Sequence, residues 1–96
     1  MTEPHQAEAI REIISEFDPQ GANRYFIFGS SVRKQKFHDI DLGVLGNKSS
    51  RKKLSELRDR LYDSTIPYKV DVVDFDESGD DFREHVLKNE PIVWIR

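Results

Sequence analysis

The most restrictive feature of the sequence is the segment DIDLGVL at residues 39–45, in which polar and apolar residues alternate strictly. An extended strand would place three branched apolar side chains on one face: Ile40, Leu42 and Val44. The opposite face would carry two carboxylates and a glycine: Asp39, Asp41 and Gly43. Because one face is apolar and the other charged, the chain must build a sheet that has a core on one side of this strand.

Turn residues divide the rest of the chain into further apolar runs and helical patterns. Strands are predicted over Arg24–Phe28, Asp39–Leu45, Tyr68–Phe75 and Ile92–Ile95. Helices are predicted over Pro4–Phe17, from Ser49 or Ser50 to Tyr62, and from Ser78 to Lys88, with a short helix or turn over Ser30–Lys36. In 96 residues, this order predicts one α+β domain spanning residues 1–96. It would hold a mixed β-sheet of about four strands with helices packed on it.

Net charge, cysteine content and the length of apolar runs exclude several classes of protein. The chain carries a net charge of -3 and has no cysteine, so disulfides and zinc–thiolate sites are excluded and a broad nucleic-acid footprint is not expected. No run approaches the roughly 20 apolar residues of a membrane helix, and the first ten residues, MTEPHQAEAI, do not read as a signal peptide. We therefore expect a cytoplasmic protein with no membrane partner.

The carboxylates of the 39–45 strand are candidate metal ligands. Asp39 and Asp41 point to the same side, and oxygen donors without histidine or cysteine favour Mg²⁺ or Mn²⁺ over zinc. Taken alone, D-x-D is a weak motif, and its spacing favours two solvent-facing side chains over a metal site. Asp71 lies in a later apolar strand, where a carboxylate needs a partner, whereas Asp74 falls on the opposite face. Asp71 is therefore the better third ligand.

Phosphate-binding candidates follow the first strand. Gly29 ends it and lets a backbone approach a ligand closely, and the Ser30 hydroxyl and following amides can donate to phosphate oxygens. Arg33 adds a fork-shaped donor for phosphate. An ordinary strand-ending turn is the competing interpretation of Gly29-Ser30. Elsewhere, Tyr25, Tyr62 and Tyr68 are predicted to pack with their hydroxyls outward.

Together, Gly29-Ser30 after a strand, Arg33, the Asp39-x-Asp41 pair and Asp71 resemble the DNA polymerase beta-like nucleotidyltransferase superfamily. More closely, the chain resembles the minimal MNT-type domains that are paired with HEPN-domain toxins. The resemblance implies two-metal nucleotidyl transfer, with Asp39, Asp41 and Asp71 as catalytic metal ligands. It also implies that Gly29, Ser30 and Arg33 bind the nucleotide. The chain departs from the family's G-S-x-A-x-G pattern, because Val32 and Lys34 stand where a small residue and a glycine are usual.

The function implied by the resemblance is Mg²⁺-dependent (or Mn²⁺-dependent) transfer of AMP from ATP to a hydroxyl acceptor. The acceptor would be a partner protein such as a HEPN toxin, which makes the chain an antitoxin of a toxin–antitoxin system. The alternative is a catalytically weak antitoxin or adaptor module that acts by protein binding. A third interpretation, template-independent RNA nucleotidyl transfer, would need a wider basic groove than this acidic chain offers.

Overall fold

The computed structural model describes residues 7–29, 39–46, 51–66, 68–76 and 79–95. The elements, in chain order, are α1 (Ala7–Phe17), β1 (Arg24–Phe28), β2 (Asp39–Leu45), α2 (Arg51–Tyr62), β3 (Lys69–Asp74), α3 (Asp80–Asn89) and β4 (Ile92–Trp94). The helix or turn predicted over Ser30–Lys36 lies outside the described residues, as do the predicted helix starts at Pro4, Ser49, Ser50 and Ser78. The remaining predicted elements are present. Strands β1 and β2 have the predicted bounds, and the other described end points differ from the prediction by at most one residue.

The four strands form one mixed sheet in the order β3-β2-β1-β4. Strand β1 is antiparallel to both of its neighbours, β2 and β4. Strands β2 and β3 are parallel, with helix α2 in the connection between them. The predicted α+β class with helices packed on a mixed four-stranded sheet is confirmed.

One face of the sheet is buried under α1 and α2. The alternating side chains of β2 point into this core, together with fully buried residues of the two helices, such as Ile10, Ile14 and Leu57. The helical residues recur at three- and four-residue spacing, which is why each helix presents one apolar stripe to the sheet. This apolar layer fixes the orientation of β2 and turns Asp39 and Asp41 toward the opposite face.

The opposite face holds a smaller core made mainly of aromatic rings. Phe75 contacts the rings of Phe26 and Phe28, with centroids 4.8 and 5.2 Å away, and Val86 of α3 covers the cluster. Gly43 lies opposite Phe26 in the strand register. A Cβ atom at Gly43 would lie 2.4 Å from Cζ of Phe26, so glycine makes room for the ring. Aromatic packing thus fills this face at the Gly43 end of β2, and the carboxylates occupy its other end.

The turn after α1 is organised by a buried aspartate. Asp18 accepts hydrogen bonds from the backbone N–H groups of Ala22 and Asn23, each at 2.9 Å, and from the hydroxyl of Tyr25 at 3.0 Å. The prediction that Tyr25 points its hydroxyl outward is therefore wrong, because Asp18 supplies an acceptor inside the protein. Tyr62, by contrast, is exposed as predicted. In the part of the chain that the structure describes, no helix has the length and apolar character to cross a membrane.

Candidate active site

The strand register brings the three predicted aspartates to one face of the sheet. Asp41 of β2 is paired with Asp71 of β3, and Asp39 is paired with Lys69. Paired residues on adjacent strands lie about 4.8 Å apart and point the same way. Asp74 is paired with Val44, so it faces the α1–α2 core side, as the alternation predicted. Residues far apart in sequence, 41 and 71, thus become nearest neighbours across two strands.

Asp41 is the electrostatic centre of this group. Its side chain is half-buried, and burial raises the pKa of the Asp41 carboxyl above its usual 3.8, helped by the negative charges of Asp71 and then of Asp39. Within the described residues, no hydrogen bond or ion pair reaches the Asp41 carboxylate. The folded chain therefore holds a concentration of negative charge that a bound cation would relieve.

Gly29 lies close against the same carboxylate. It ends β1 with a positive φ of 82°, and a Cβ atom there would lie only 2.6 Å from Oδ2 of Asp41. A side chain at this position would collide with the carboxylate and would also strain the backbone. The sequence predicted that a glycine here allows a ligand to approach, and the structure shows that Asp41 itself is the close neighbour. Ser30 and Arg33, the other predicted nucleotide-binding residues, lie outside the described residues.

Sequence reasoning missed one charged residue of the site, Lys69. Its Nζ lies 3.5 Å from Oδ1 of Asp71, and both side chains are accessible to solvent. The signal was present in the sequence, because residues two apart on a strand share a face. The alternation that selected Asp71 therefore also selects Lys69.

A cavity of about 650 Å³ lies beside this end of the site, between α2 and β3. Asp71 and Lys69 are on its wall, together with aromatic and aliphatic side chains that include Tyr62, Tyr68 and Ile66. Arg58, also on its wall, donates a hydrogen bond from Nη2 to the carbonyl oxygen of Val72 at 3.0 Å and so satisfies a polar group at the sheet edge. The volume is in the range of small-molecule and side-chain binding sites.

The donor set suits a hard divalent cation, because its three carboxylates offer oxygen ligands only. Among the described residues the acidic side chains are not already gathered into a group of three with metal-binding geometry. Burial, and then the charges of Asp71 and Asp39, raise the pKa of the Asp41 carboxyl. Asp39, Asp41 and Asp71 therefore fit a metal-binding role in donor chemistry, and the strand register places them on one face of the sheet.

Comparison with protein families identifies a match over most of the chain. The family model described as "Polymerase beta, Nucleotidyltransferase" matches residues 8–96, which include every candidate site residue. A search of the curated proteins found no match. With nearly the whole chain covered, nucleotidyl transfer in general is the supported class of activity. The chain belongs to the polymerase beta nucleotidyltransferase family.

Proposed function

We propose that the chain is an enzyme that transfers a nucleoside monophosphate, AMP from ATP, to a hydroxyl acceptor with Mg²⁺ or Mn²⁺ as cofactor. The observation that carries this proposal is the in-register pairing of Asp41 with Asp71, on the face that also bears Asp39. The raised pKa of Asp41 supports it, since a site made for cations must tolerate charge repulsion when it is empty.

Each aspartate has a role that follows from its position. Asp39 and Asp41, two residues apart on β2, would hold the metal ions together with Asp71 on β3. When bound, the divalent ions stabilise the charge on the attacking and leaving oxygens of the displacement. Gly29 adjoins Asp41 on the β1 side, so the triphosphate would bind there, with Ser30 and Arg33 as further donors.

The acceptor would approach from the other side of β2. Its hydroxyl oxygen forms a bond to the α-phosphorus, the bond from that phosphorus to the oxygen bridging to the β-phosphate breaks, and pyrophosphate leaves. The hydroxyl proton passes to the Asp71 carboxylate and from there to solvent. The cavity beside β3 has Asp71 on its wall. An acceptor in this cavity and a triphosphate near Gly29 would flank β2, as an in-line displacement requires.

The acceptor in this proposal is a HEPN-type toxin, which the chain would neutralise as an MNT-type antitoxin in the cytoplasm. Support comes from the sequence resemblance and from the exposed Tyr62, 89% accessible on the wall of the acceptor-side cavity. The alternative, an adaptor that binds its partner with little catalysis, is favoured by one observation. The Lys69–Asp71 ion pair already offsets part of the negative charge at the site.

A thermal unfolding experiment tests the ligand site. The protein is heated with ATP alone, Mg²⁺ alone and both, beside Asp41→Asn and the control Asp74→Asn. Asp74 lies on the same strand as Asp71 but on the opposite face, and its Oδ1 accepts from the backbone N–H of Asp76 at 3.0 Å, which an asparagine can maintain. At 100 times the dissociation constant, a ligand adds about 2.7 kcal/mol, which at this chain length raises the Tm by roughly 10–20 °C. We expect this shift in the wild type and in Asp74→Asn, and none in Asp41→Asn.

Mass spectrometry of the co-expressed HEPN partner tests the reaction. We expect an added AMP on the partner with the wild-type chain, ATP and Mg²⁺, and an unmodified partner with Asp41→Asn. Neutralisation of the toxin by Asp41→Asn without any modification would support the adaptor instead. An unmodified partner with the wild type, despite a ligand-dependent thermal shift, would disprove the proposed acceptor and leave the nucleotide site intact.

A further inference from the structure

Four charged residues form a two-by-two arrangement on the open face of the sheet. Asp39 and Asp41 are on β2, and their register partners on β3 are Lys69 and Asp71. Three of the four positions are carboxylates and the fourth is an ammonium group. The Lys69 Nζ lies 3.5 Å from Oδ1 of Asp71, on the same strand.

We propose that Lys69 is a built-in counter-cation of the carboxylate site, which a divalent metal ion must displace from Asp71 in order to bind. The inference rests on the proposed function, because it assumes that Asp71 is a metal ligand. It adds a role that the three aspartates do not supply: Lys69 positions the Asp71 carboxylate in the metal-free protein and sets the affinity of the site for the cation.

The ion pair is of a kind that a metal ion can replace. The side chains of Lys69 and Asp71 are 73% and 41% exposed, and exposed ion pairs are weak because water screens them. A divalent cation with several carboxylate ligands therefore competes successfully with a single ammonium group. The lysine stem is flexible, whereas the backbone of β3 is held by its pairing with β2. Lys69 can leave Asp71 without disturbing the strand.

Charge accounting gives the direction of the effect. With Lys69 present, the four positions sum to a net charge of -2 when every group is ionised, and without it to -3. Removal of the ammonium group should therefore strengthen cation binding and weaken the metal-free fold. The same side chain also lies on the wall of the cavity beside β3. A displaced Lys69 consequently moves within reach of the acceptor side of the site.

The test is a Mn²⁺ titration followed by thermal unfolding, alone and with saturating α,β-methylene ATP. The variants are Lys69→Met, Lys69→Arg and the control Lys88→Met. Lys88 on α3 forms a similarly exposed ion pair with Glu84, 3.8 Å long, and lies outside the carboxylate arrangement. Lys69→Met should lower the Mn²⁺ concentration for half-maximal shift about threefold, the scale of one exposed ion pair. Lys69→Arg and Lys88→Met should titrate like the wild type.

A double-mutant cycle shows whether Lys69 acts through Asp71. In the metal-free protein, Lys69→Met should lower the Tm by about 2 °C, since an exposed pair contributes a fraction of a kcal/mol at this chain length. In an Asp71→Asn background the same substitution should leave the Tm unchanged. A structural role of the lysine stem in packing would give the same loss in both backgrounds and would overturn the inference.

The outcomes separate this inference from the proposed function. A wild-type protein that shows no Mn²⁺-dependent shift, with or without the nucleotide analogue, overturns the metal-dependent function and the inference with it. A wild-type protein that binds Mn²⁺ with the same midpoint as Lys69→Met overturns the inference alone. A tighter midpoint in Lys69→Met, together with a Tm loss that disappears in Asp71→Asn, supports it.

Discussion

Two aspartates of this small domain, Asp18 and Asp41, occupy opposite electrostatic environments. Asp18 is only 8% exposed, and its carboxylate accepts hydrogen bonds from two backbone N–H groups and one tyrosine hydroxyl. Asp41 is half-buried, its charged neighbours are Asp71 and Asp39, and no donor reaches it within the described residues. The Asp18 carboxylate is stabilised by its hydrogen-bond donors, whereas the Asp41 carboxylate is repelled by the carboxylates beside it.

The difference distinguishes an aspartate that stabilises the fold from one for which we propose a role in the reaction. Buried charge is stable when hydrogen bonds are directed at it, so Asp18 closes the turn between α1 and β1. Charge that is held beside like charge costs stability and is retained where a ligand supplies the missing partner. For Asp41, the ligand that we propose is the divalent cation shared with Asp39 and Asp71. Substitutions at either aspartate and at its immediate neighbours test this contrast.

The largest effect is expected from Asp18→Ala. The substitution removes one acceptor group and leaves three buried or half-buried donors without it, at about 1 kcal/mol or more for each. We expect a loss of about 3 kcal/mol in the free energy of unfolding, measured by urea denaturation. Glu12→Ala, on the exposed side of the preceding helix α1, is the control and should stay within about 0.5 kcal/mol of the wild type. An equal loss in both variants would show that the hydrogen bonds to Asp18 contribute no more to the free energy of unfolding than an exposed side chain does.

A smaller effect is expected from Gly29→Ala, which acts directly on Asp41. The new Cβ atom would lie 2.6 Å from Oδ2 of Asp41, at a backbone φ of 82°. We expect a loss of about 1–2 kcal/mol, from the left-handed conformation and the displaced carboxylate. The Mg²⁺-dependent and ATP-dependent shift in Tm should be lost as well.

The matched control for Gly29→Ala is Gly79→Ala. Nothing lies within 4 Å of a Cβ atom at Gly79, and its φ of -63° suits any residue. As the N-cap of α3, it should lose no more than about 0.5 kcal/mol with alanine, because the poorer cap is partly offset by the lower entropy of the unfolded chain. If Gly29→Ala lost no more stability than Gly79→Ala and kept the ligand-dependent shift in Tm, the close approach of Gly29 to Asp41 would not be needed for ligand binding.

Tyr25→Phe removes one donor from the Asp18 group and should cost less than Asp18→Ala, about 1 kcal/mol. The aromatic ring stays in the apolar core, so the loss reports the hydroxyl hydrogen bond alone. Urea denaturation measures it, and a double mutant with Asp18→Ala checks the assignment. In that double mutant the second substitution should have little further effect, and additive losses would show that the two side chains do not act on each other.

Much of this fold could be predicted because its signals are local. The bounds of β1 follow from its run of aromatic and branched residues and those of β2 from alternation, and both agree with the structure, Arg24–Phe28 and Asp39–Leu45. The same period of two distinguished Asp71 from Asp74 and placed them on opposite faces of β3. Local periodicity decides which face a side chain occupies, and in a sheet with one apolar face that is most of the information needed to group three aspartates.

Other features could not be predicted because they depend on cross-strand register and on turns. The sequence did not indicate the register between β2 and β3, which places Asp41 directly opposite Asp71. It also did not indicate that the Asp41 carboxylate is the nearest neighbour of Gly29. The inward hydroxyl of Tyr25 required knowledge of the turn that brings Asp18 back to β1. Each of these contacts joins residues whose spacing in sequence says nothing about their distance.

The smallest effect is expected from Asp41→Asn in the absence of divalent cations, and its sign is opposite to that of the other three. The asparagine side chain would carry no charge, so the repulsion with Asp71 and Asp39 disappears. Between partly exposed groups this amounts to about 0.5 kcal/mol, or a rise in Tm of about 2–4 °C at pH 7. The Asp41→Asn variant should therefore be more stable than the wild type but show no Mg²⁺-dependent and ATP-dependent shift in Tm. This trade-off between stability and function is expected of a functional carboxylate.

The pH dependence of that gain follows from the raised pKa of Asp41. Because the folded protein binds this proton more tightly than the unfolded chain, its stability falls as pH rises from about the unfolded value through the raised folded pKa, and then levels off. The gain in Asp41→Asn should therefore be full at pH 7 and shrink as the pH falls to 3.8, the usual value for the group. Thermal unfolding with a chelator present, at a series of pH values, measures both curves. A variant that is less stable than the wild type at pH 7 would show that Asp41, like Asp18, is held by favourable partners, and the contrast between the two aspartates would no longer hold.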